Sequence, residues 1–185
     1  MVKHLYLSEK IKIPEGVEVK VEDLKITVKG PRGELTKDFT HVGKNISIRL
    51  EDNNIVVEAY MVNRKTKALM GSVVAHVRNM IIGVTKGFKY KLKIIYSHFP
   101  ITVVVDEKNK LVRIKNFLGE KADRIAKIYG NVRVIVQGTD IIVEGNDIEE
   151  VGLTAASLER ATKIKDLDRR IFVDGIYIYE RGVVE

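Results

Sequence analysis

Ile55-Val56-Val57-Glu58 returns 86 residues later as Ile141-Ile142-Val143-Glu144. Working outward, Ile26-Thr27-Val28-Lys29 reads like Val112-Arg113-Ile114-Lys115, and Gly33-Glu34 returns as Gly119-Glu120. Ile46, Ile48 and Leu50 alternate, as do Val132, Val134 and Val136. All four matches keep one offset without a gap. One such match arises by chance; four in register predict a tandem duplication. The period is too long for a solenoid repeat and suits a small domain.

Alternating apolar residues predict strands at 17–21, 25–29, 45–50 and 54–59, punctuated by turns at Gly30-Pro31-Arg32-Gly33 and Asn53-Asn54. The two glycines of the first turn are expected to supply positive φ. A helix follows, with Leu69, Val73, Val77, Met80 and Ile81 on one face at spacings of three and four. The second unit predicts strands at 101–105, 111–115, 131–136 and 140–144. Its helix presents Val151, Ala155, Leu158 and Thr162, is capped by Asn146 or Asp147, and carries Glu149 and Glu150 in its first turn. Strands followed by one helix per unit give an α+β fold: a tandem duplication of a small unit whose antiparallel sheet packs on one helix. The units are placed at residues 1–85 and 86–185, with the join near Lys86–Phe99.

The 185 residues carry 32 Lys and Arg against 25 Asp and Glu, a formal charge of +7. Between Glu58 and Asp106 there is no acidic residue, yet Arg64, Lys65, Lys67, Arg78, Lys86, Lys89, Lys91 and Lys93 all fall there. A one-signed stripe of this kind favours a polyanion, because Lys and Arg neutralise phosphates and release condensed counterions. The absence of cysteine excludes disulfides and thiolate metal sites, which suits a reducing compartment. No apolar run approaches the roughly 20 residues of a membrane span, and the first residues lack the apolar region of a signal peptide.

Catalytic chemistry finds no foothold. His4, His41, His76 and His98 are scattered without metal-ligand spacing, and no serine sits in a nucleophile-elbow pattern. Gly30-Pro31-Arg32-Gly33 lacks the Gly-Lys-Ser/Thr of a P-loop. The acids at 144–150 read as a solvated helix start. No catalytic residue, metal, cofactor or small-molecule substrate is expected.

Two segments point to binding. Phe88-Lys89-Tyr90-Lys91-Leu92-Lys93-Ile94 alternates strictly, so in a strand Lys89, Lys91 and Lys93 share one face about 6.8 Å apart. This lysine comb reads either as a phosphate-binding surface or as an edge strand guarded against aggregation. Residues 169–181 predict a hairpin turning at Asp174-Gly175, since Asp-Gly between apolar runs is a strong hairpin signal. That register sets Phe172 opposite Tyr177 and Arg170 opposite Tyr179, a mixture suited to stacking on bases and holding phosphates. Arg160, Lys163 and Lys165 lie just upstream.

Arg170-Ile171-Phe172-Val173-Asp174-Gly175-Ile176-Tyr177-Ile178 resembles the C-terminal signature of the large-subunit ribosomal protein six family, archaeal and eukaryotic branch. So does the stretch from His76 to Lys91, continuing into His98-Phe99-Pro100; the resemblance runs from about Ile11 to Val183. It implies a non-catalytic component of the cytoplasmic ribosome. Its partners would be large-subunit rRNA and neighbouring large-subunit proteins, with no membrane. The family binds the last rRNA domain near the sarcin–ricin loop and the translation-factor GTPase site, chiefly through its C-terminal copy. Carried onto this chain, that role falls on Lys163, Lys165, Arg169, Arg170, Tyr177 and Arg181, with Lys86, Lys89, Lys91 and Lys93 as a secondary basic surface. Many relatives carry a smaller residue at Tyr179, which leaves its role open. The alternatives are a free-standing RNA chaperone or regulator, a nucleic-acid-processing enzyme, for which no carboxylate or histidine cluster adjoins the basic face, and a DNA-binding module, for which neither helix is both basic and exposed.

Overall fold

The computed structural model describes residues 6–43, 45–165, 167–168 and 170–184. The backbone divides into two units, the first ending at Lys86 and the second beginning at Gly87. Unit 1 contains β1 (Tyr6–Lys12), β2 (Glu18–Glu22), β3 (Lys25–Gly30), β4 (Gly33–Asp38), β5 (Ile46–Glu51), β6 (Asn54–Tyr60) and α1 (Arg64–Thr85). Unit 2 contains β7 (Phe88–Ile95), β8 (Thr102–Asp106), β9 (Leu111–Lys115), β10 (Arg124–Lys127), β11 (Arg133–Gln137), β12 (Asp140–Gly145), α2 (Ile148–Ala161) and β13 (Gly175–Val183).

In unit 1 the sheets are β1-β6-β5 and β2-β3-β4, all antiparallel. Helix α1 packs on β3 and β6 through Met70, Val73, Val77 and Val84. The core gathers Ile26 and Val28 of β3, Ile55 and Val57 of β6, and Phe39, each at most 1% exposed. Asn63 caps α1, accepting hydrogen bonds from the Thr66 backbone N–H at 2.8 Å and its hydroxyl at 3.1 Å. By length and apolar content α1 could span a bilayer, but its apolar face is spent on the two sheets.

Unit 2 repeats this plan as β10-β9-β8 and β11-β12-β7-β13, with α2 packed on β10, β12, β7 and β13. Asp147 caps α2 by accepting from the Glu149 N–H at 2.8 Å. The duplication is visible in the ladders. Ile26 pairs with Val21 and Lys37, and Val112 with Val105 and Ala126; Val57 lies between Glu9 and Ile48, and Val143 between Tyr90 and Val134. The segment read as a join therefore contains β7, the counterpart of β1.

Several expectations are corrected. Gly33 and Gly119 are not equivalent: Gly33 opens β4, while Gly119 closes a 3-10 turn at Phe117–Gly119. Gly33 does have a positive φ of 138°, but Gly30 does not. A Cβ on Gly30 would lie 2.7–2.9 Å from Val84 side-chain and backbone atoms, so this glycine admits the end of α1. The strands β1, β4 and β10 escaped the sequence reading because they are sheet edges with polar residues and little apolar alternation.

The predicted C-terminal hairpin does not form. Strand β13 pairs along β7, with Ile176 opposite Ile94, Tyr177 opposite Lys93 and Arg181 opposite Tyr90. Residues 172–174 are not strand, and neither Asp174 nor Gly175 has the positive φ of a type I′ turn. An isolated two-stranded ribbon is marginal in water. Pairing with β7 instead buries Ile176 completely, a gain of about 1.5–3 kcal/mol for a side chain of that size. The same pairing makes β7 a central strand, so the lysine comb is not an edge guard.

Candidate nucleic-acid interface

The candidate residues lie in the chain after α2. Helix α2 ends in a stack of hydrogen bonds around Thr162, which is 4% exposed. Its hydroxyl accepts from the Ile176 N–H at 2.9 Å and leans on the Glu159 carbonyl at 3.3 Å, joining the helix end to the start of β13. Ile164 turns inward at 6% exposure while its neighbours Lys163 and Lys165 stay exposed. An alternation of this kind in an irregular segment fixes two cations on the outside by anchoring the residue between them.

Arg124 of β10 holds this turn from below. Its guanidinium donates to the Ala161 carbonyl at 3.0 Å and the Lys163 carbonyl at 3.2 Å, satisfying acceptors left open at the helix end. It forks onto Glu120 at 2.8 and 2.5 Å and sits 4.2 Å from the centroid of buried Phe117. That hydrogen-bonded arginine holds the Glu120 carboxyl below its ordinary value. Arg124 and Thr162 were not singled out as site residues in the sequence, because their partners are distant in the chain.

Further along, Asp168 folds the segment back, its carboxylate accepting from the Arg170 N–H at 3.0 Å and its carbonyl from the Phe172 N–H at 2.9 Å. Phe172 lies against His98, ring centroids 5.9 Å apart. Asp174 is fully buried and accepts from the Ser97 N–H at 2.9 Å; its other oxygen has no hydrogen-bond partner among the described residues. Arg170 is exposed, and Arg169 lies outside the described residues. Tyr177 is 39% exposed and borders a hollow with the end of α2, so Lys163 and Tyr177 come together there. A second hollow is lined by Arg124, Arg160, Lys163 and Lys165 among others, with Arg160, Lys163 and Ile164 common to both. Arg160 thus joins the site. Arg181 lies apart, its guanidinium 5.9 Å from the Tyr90 ring centroid. The predicted facing of Arg170 with Tyr179 and of Phe172 with Tyr177 is absent.

The comb behaves differently. Lys89 pairs with Glu144 at 3.5 Å, Lys91 with Glu180 at 2.9 Å and Lys93 with Asp140 at 2.9 Å. Strands β12 and β13 bring to it the acids that its own stretch of sequence lacks. Tyr179, at a bulge in β13, donates to Asp140 at 3.2 Å; burial, followed by this carboxylate, raises its pKa. Lys93 in turn lowers the pKa of Asp140. Lys86 is exposed at the end of α1. Among the described residues no cluster of His, Asp or Glu could hold a metal.

A twice-repeated α+β unit, one copy extended by a cation-bearing segment with an exposed tyrosine, has the build of an RNA-binding protein. The family described as Ribosomal protein L6 matches residues 13–87 and again 99–175, once on each unit. The large ribosomal subunit protein uL6 of Desulfurococcus amylolyticus is 63% identical, covering 98% of both chains. That of Staphylothermus marinus is 59% identical over the full length of both, and that of Methanobrevibacter smithii 46% identical over 98% of this chain and 99% of its own. The chain belongs to the ribosomal protein L6 family.

Proposed function

We propose that this protein is a structural constituent of the large subunit of the cytoplasmic ribosome. In this reading it binds the last domain of large-subunit rRNA near the sarcin–ricin loop and supports the site where translational GTPases dock. Its partners are that rRNA and neighbouring ribosomal proteins; neither a membrane nor a small-molecule substrate enters. Family membership supports the ribosomal role. The site assignment is carried by one observation: Arg160 and Lys163 stand exposed at an anchored helix end in one hollow with Tyr177, and share a second hollow with exposed Lys165. Lysine and arginine on such a ridge hold phosphates, and the ring offers a stacking surface. Unit 2 then carries most of the affinity, with Arg169, Arg170 and Arg181 contributing charge. Lys86, Lys89, Lys91 and Lys93 form the lesser surface, because three of the four already have carboxylate partners.

Footprinting the purified protein on a transcript of the last rRNA domain tests the reading. Protection is expected at the sarcin–ricin region. Roughly six phosphate contacts cost on the order of a thousandfold in affinity between 50 and 200 mM salt, by the duplex-DNA relation. A flat salt response or protection elsewhere would overturn it.

A further inference from the structure

The hollow beside Tyr177 has a shape and lining that charge alone does not require. It measures about 270 Å³ and is bounded by Glu159, Arg160, Thr162, Lys163, Ile164 and Tyr177. That is below the roughly 300–1,000 Å³ of sites that enclose a whole drug-sized ligand, and is room for one planar ring system entering edge-on. Gly175 seats the tyrosine. A Cβ there would stand 3.1 Å from Cε2, Cζ and Oη of the Tyr177 ring, and the residue has no positive φ to explain a glycine. The missing side chain therefore serves the ring, which packs against bare backbone on one side and borders the hollow. Ile164 supplies apolar lining, Arg160 and Lys163 are cations at its rim, and Glu159 is an acceptor.

We infer that this hollow takes one unpaired nucleobase of rRNA, stacked on Tyr177, its phosphate held by Arg160 or Lys163. Glu159 accepts hydrogen bonds only, so it favours a base with an exocyclic amino group over uracil. Single-stranded bases are splayed onto aromatic rings in this way where RNA is read outside helices. The inference rests on the proposed function, whose rRNA it makes the ligand.

The chain has no tryptophan, so Tyr177→Trp provides a single indole reporter. Its emission should be quenched when the last-domain rRNA transcript binds and unchanged when inorganic polyphosphate, which has charge but no bases, binds instead. Tyr177→Phe should keep wild-type affinity, and Tyr177→Ala should lose roughly tenfold, within the range for one base–aromatic stack. Gly175→Ala, which keeps the tyrosine but crowds its ring out of position, should weaken binding in the same direction. Should the variants fold poorly, ultraviolet cross-linking of the wild-type protein to the transcript is expected to attach a nucleotide at Tyr177. Tight binding with no quenching and no cross-link at Tyr177 overturns the subsite while the proposed function stands. Equal quenching by polyphosphate also overturns it. Failure of the wild-type protein to bind the transcript overturns both readings.

Discussion

Glu58 and Glu144 occupy equivalent positions in the two units, each one residue after the buried valine of its strand, and the two sheets treat them differently. Glu58 is 8% exposed and accepts from the Tyr6 and Tyr60 hydroxyls at 2.8 Å each and from Ser47 at 3.2 Å, with Arg49 at 3.6 Å. Unit 1 thereby closes the outer face of its sheet with its own tyrosines. Glu144 pairs with Lys89 on a sheet widened by β13, where cations and carboxylates alternate. The larger difference follows the helices. Unit 1 runs from α1 directly into the next unit, whereas α2 is followed by residues 162–174 and β13, which have no counterpart. Every candidate rRNA residue except the comb, Lys86 and Arg160, which closes α2, falls in this added segment. A duplicated scaffold gives stability twice; the unduplicated addition is where a surface can specialise.

The largest effect expected from this contrast is on binding. Arg169→Ala with Arg170→Ala should weaken rRNA binding by about 3–6 kcal/mol, two residues at about 1.5–3 each for hydrogen bonds to a charged group. Lys89→Ala with Lys91→Ala should cost less than about 1 kcal/mol, because those ammonium groups already face Glu144 and Glu180. Anisotropy titrations with the transcript measure both, provided the melting temperatures are kept. A comb variant that binds worse than the arginine variant breaks the contrast and moves the main surface out of the added segment.

Next comes the knot beneath that segment. Arg124→Ala should destabilise unit 2 by about 2–3 kcal/mol in urea unfolding, since it leaves the Glu120 carboxylate and two helix-end carbonyls without their donor. Arg124→Lys should restore only part, because an ammonium cannot fork onto a carboxylate while stacking on Phe117. Full rescue by lysine would reduce the arginine to a point charge.

The third prediction concerns the closed face of unit 1. Hydrogen bonds from Tyr6 and Tyr60, in that order, hold the Glu58 pKa below its ordinary 4.5. A depressed folded value means the stabilisation is complete above the unfolded pKa and is lost as pH falls through the folded one. The melting temperature of the wild-type protein should therefore drop on acidification below about pH 4.5, and that of Glu58→Gln should drop less. At neutral pH the variant should be less stable by on the order of 1–2 kcal/mol, charge-assisted bonds having become neutral ones. Parallel acid profiles would show that other carboxylates govern the acid limb.

What the sequence disclosed follows from range. Strands β2, β3, β5, β6, β8, β9, β11 and β12, edges among them, and both helices announce themselves because their own residues alternate or recur at three and four. The duplication, read from Ile26 and Val112 and from Val57 and Val143, needed nothing else. Edge strands such as Gly33–Asp38 and Arg124–Lys127 are held by a neighbour's ladder and carry little pattern of their own. Asp174-Gly175 is a strong local turn signal that a distant partner strand overrode. The cations of Lys89, Lys91 and Lys93 were legible, but their partners Glu144, Glu180 and Asp140 arrive on strands far away in sequence. Lys163, Lys165 and Tyr177 were visible as residue types, while the hollow joining Lys163 to Tyr177 depends on Thr162, Ile164 and Gly175.

The smallest effect separates the two helices. Helix α1 has Arg64, Lys65 and Lys67 at its start and no acid in its first turn, whereas α2 has Glu149 and Glu150. The helix macrodipole makes the N-terminal end positive, so the first arrangement is unfavourable and the second favourable. Lys65 is exposed, and replacing it should disturb no packing. Lys65→Glu is therefore expected to stabilise the protein by about 0.3–1 kcal/mol at low ionic strength. The gain should shrink in 1 M salt, where the screening length falls to about 3 Å. Its effect on rRNA binding should stay well below that of the arginine pair, since Lys65 lies outside the added segment. A destabilised variant, or a gain indifferent to salt, would mean that Lys65 acts through a contact of its own and not through the helix field.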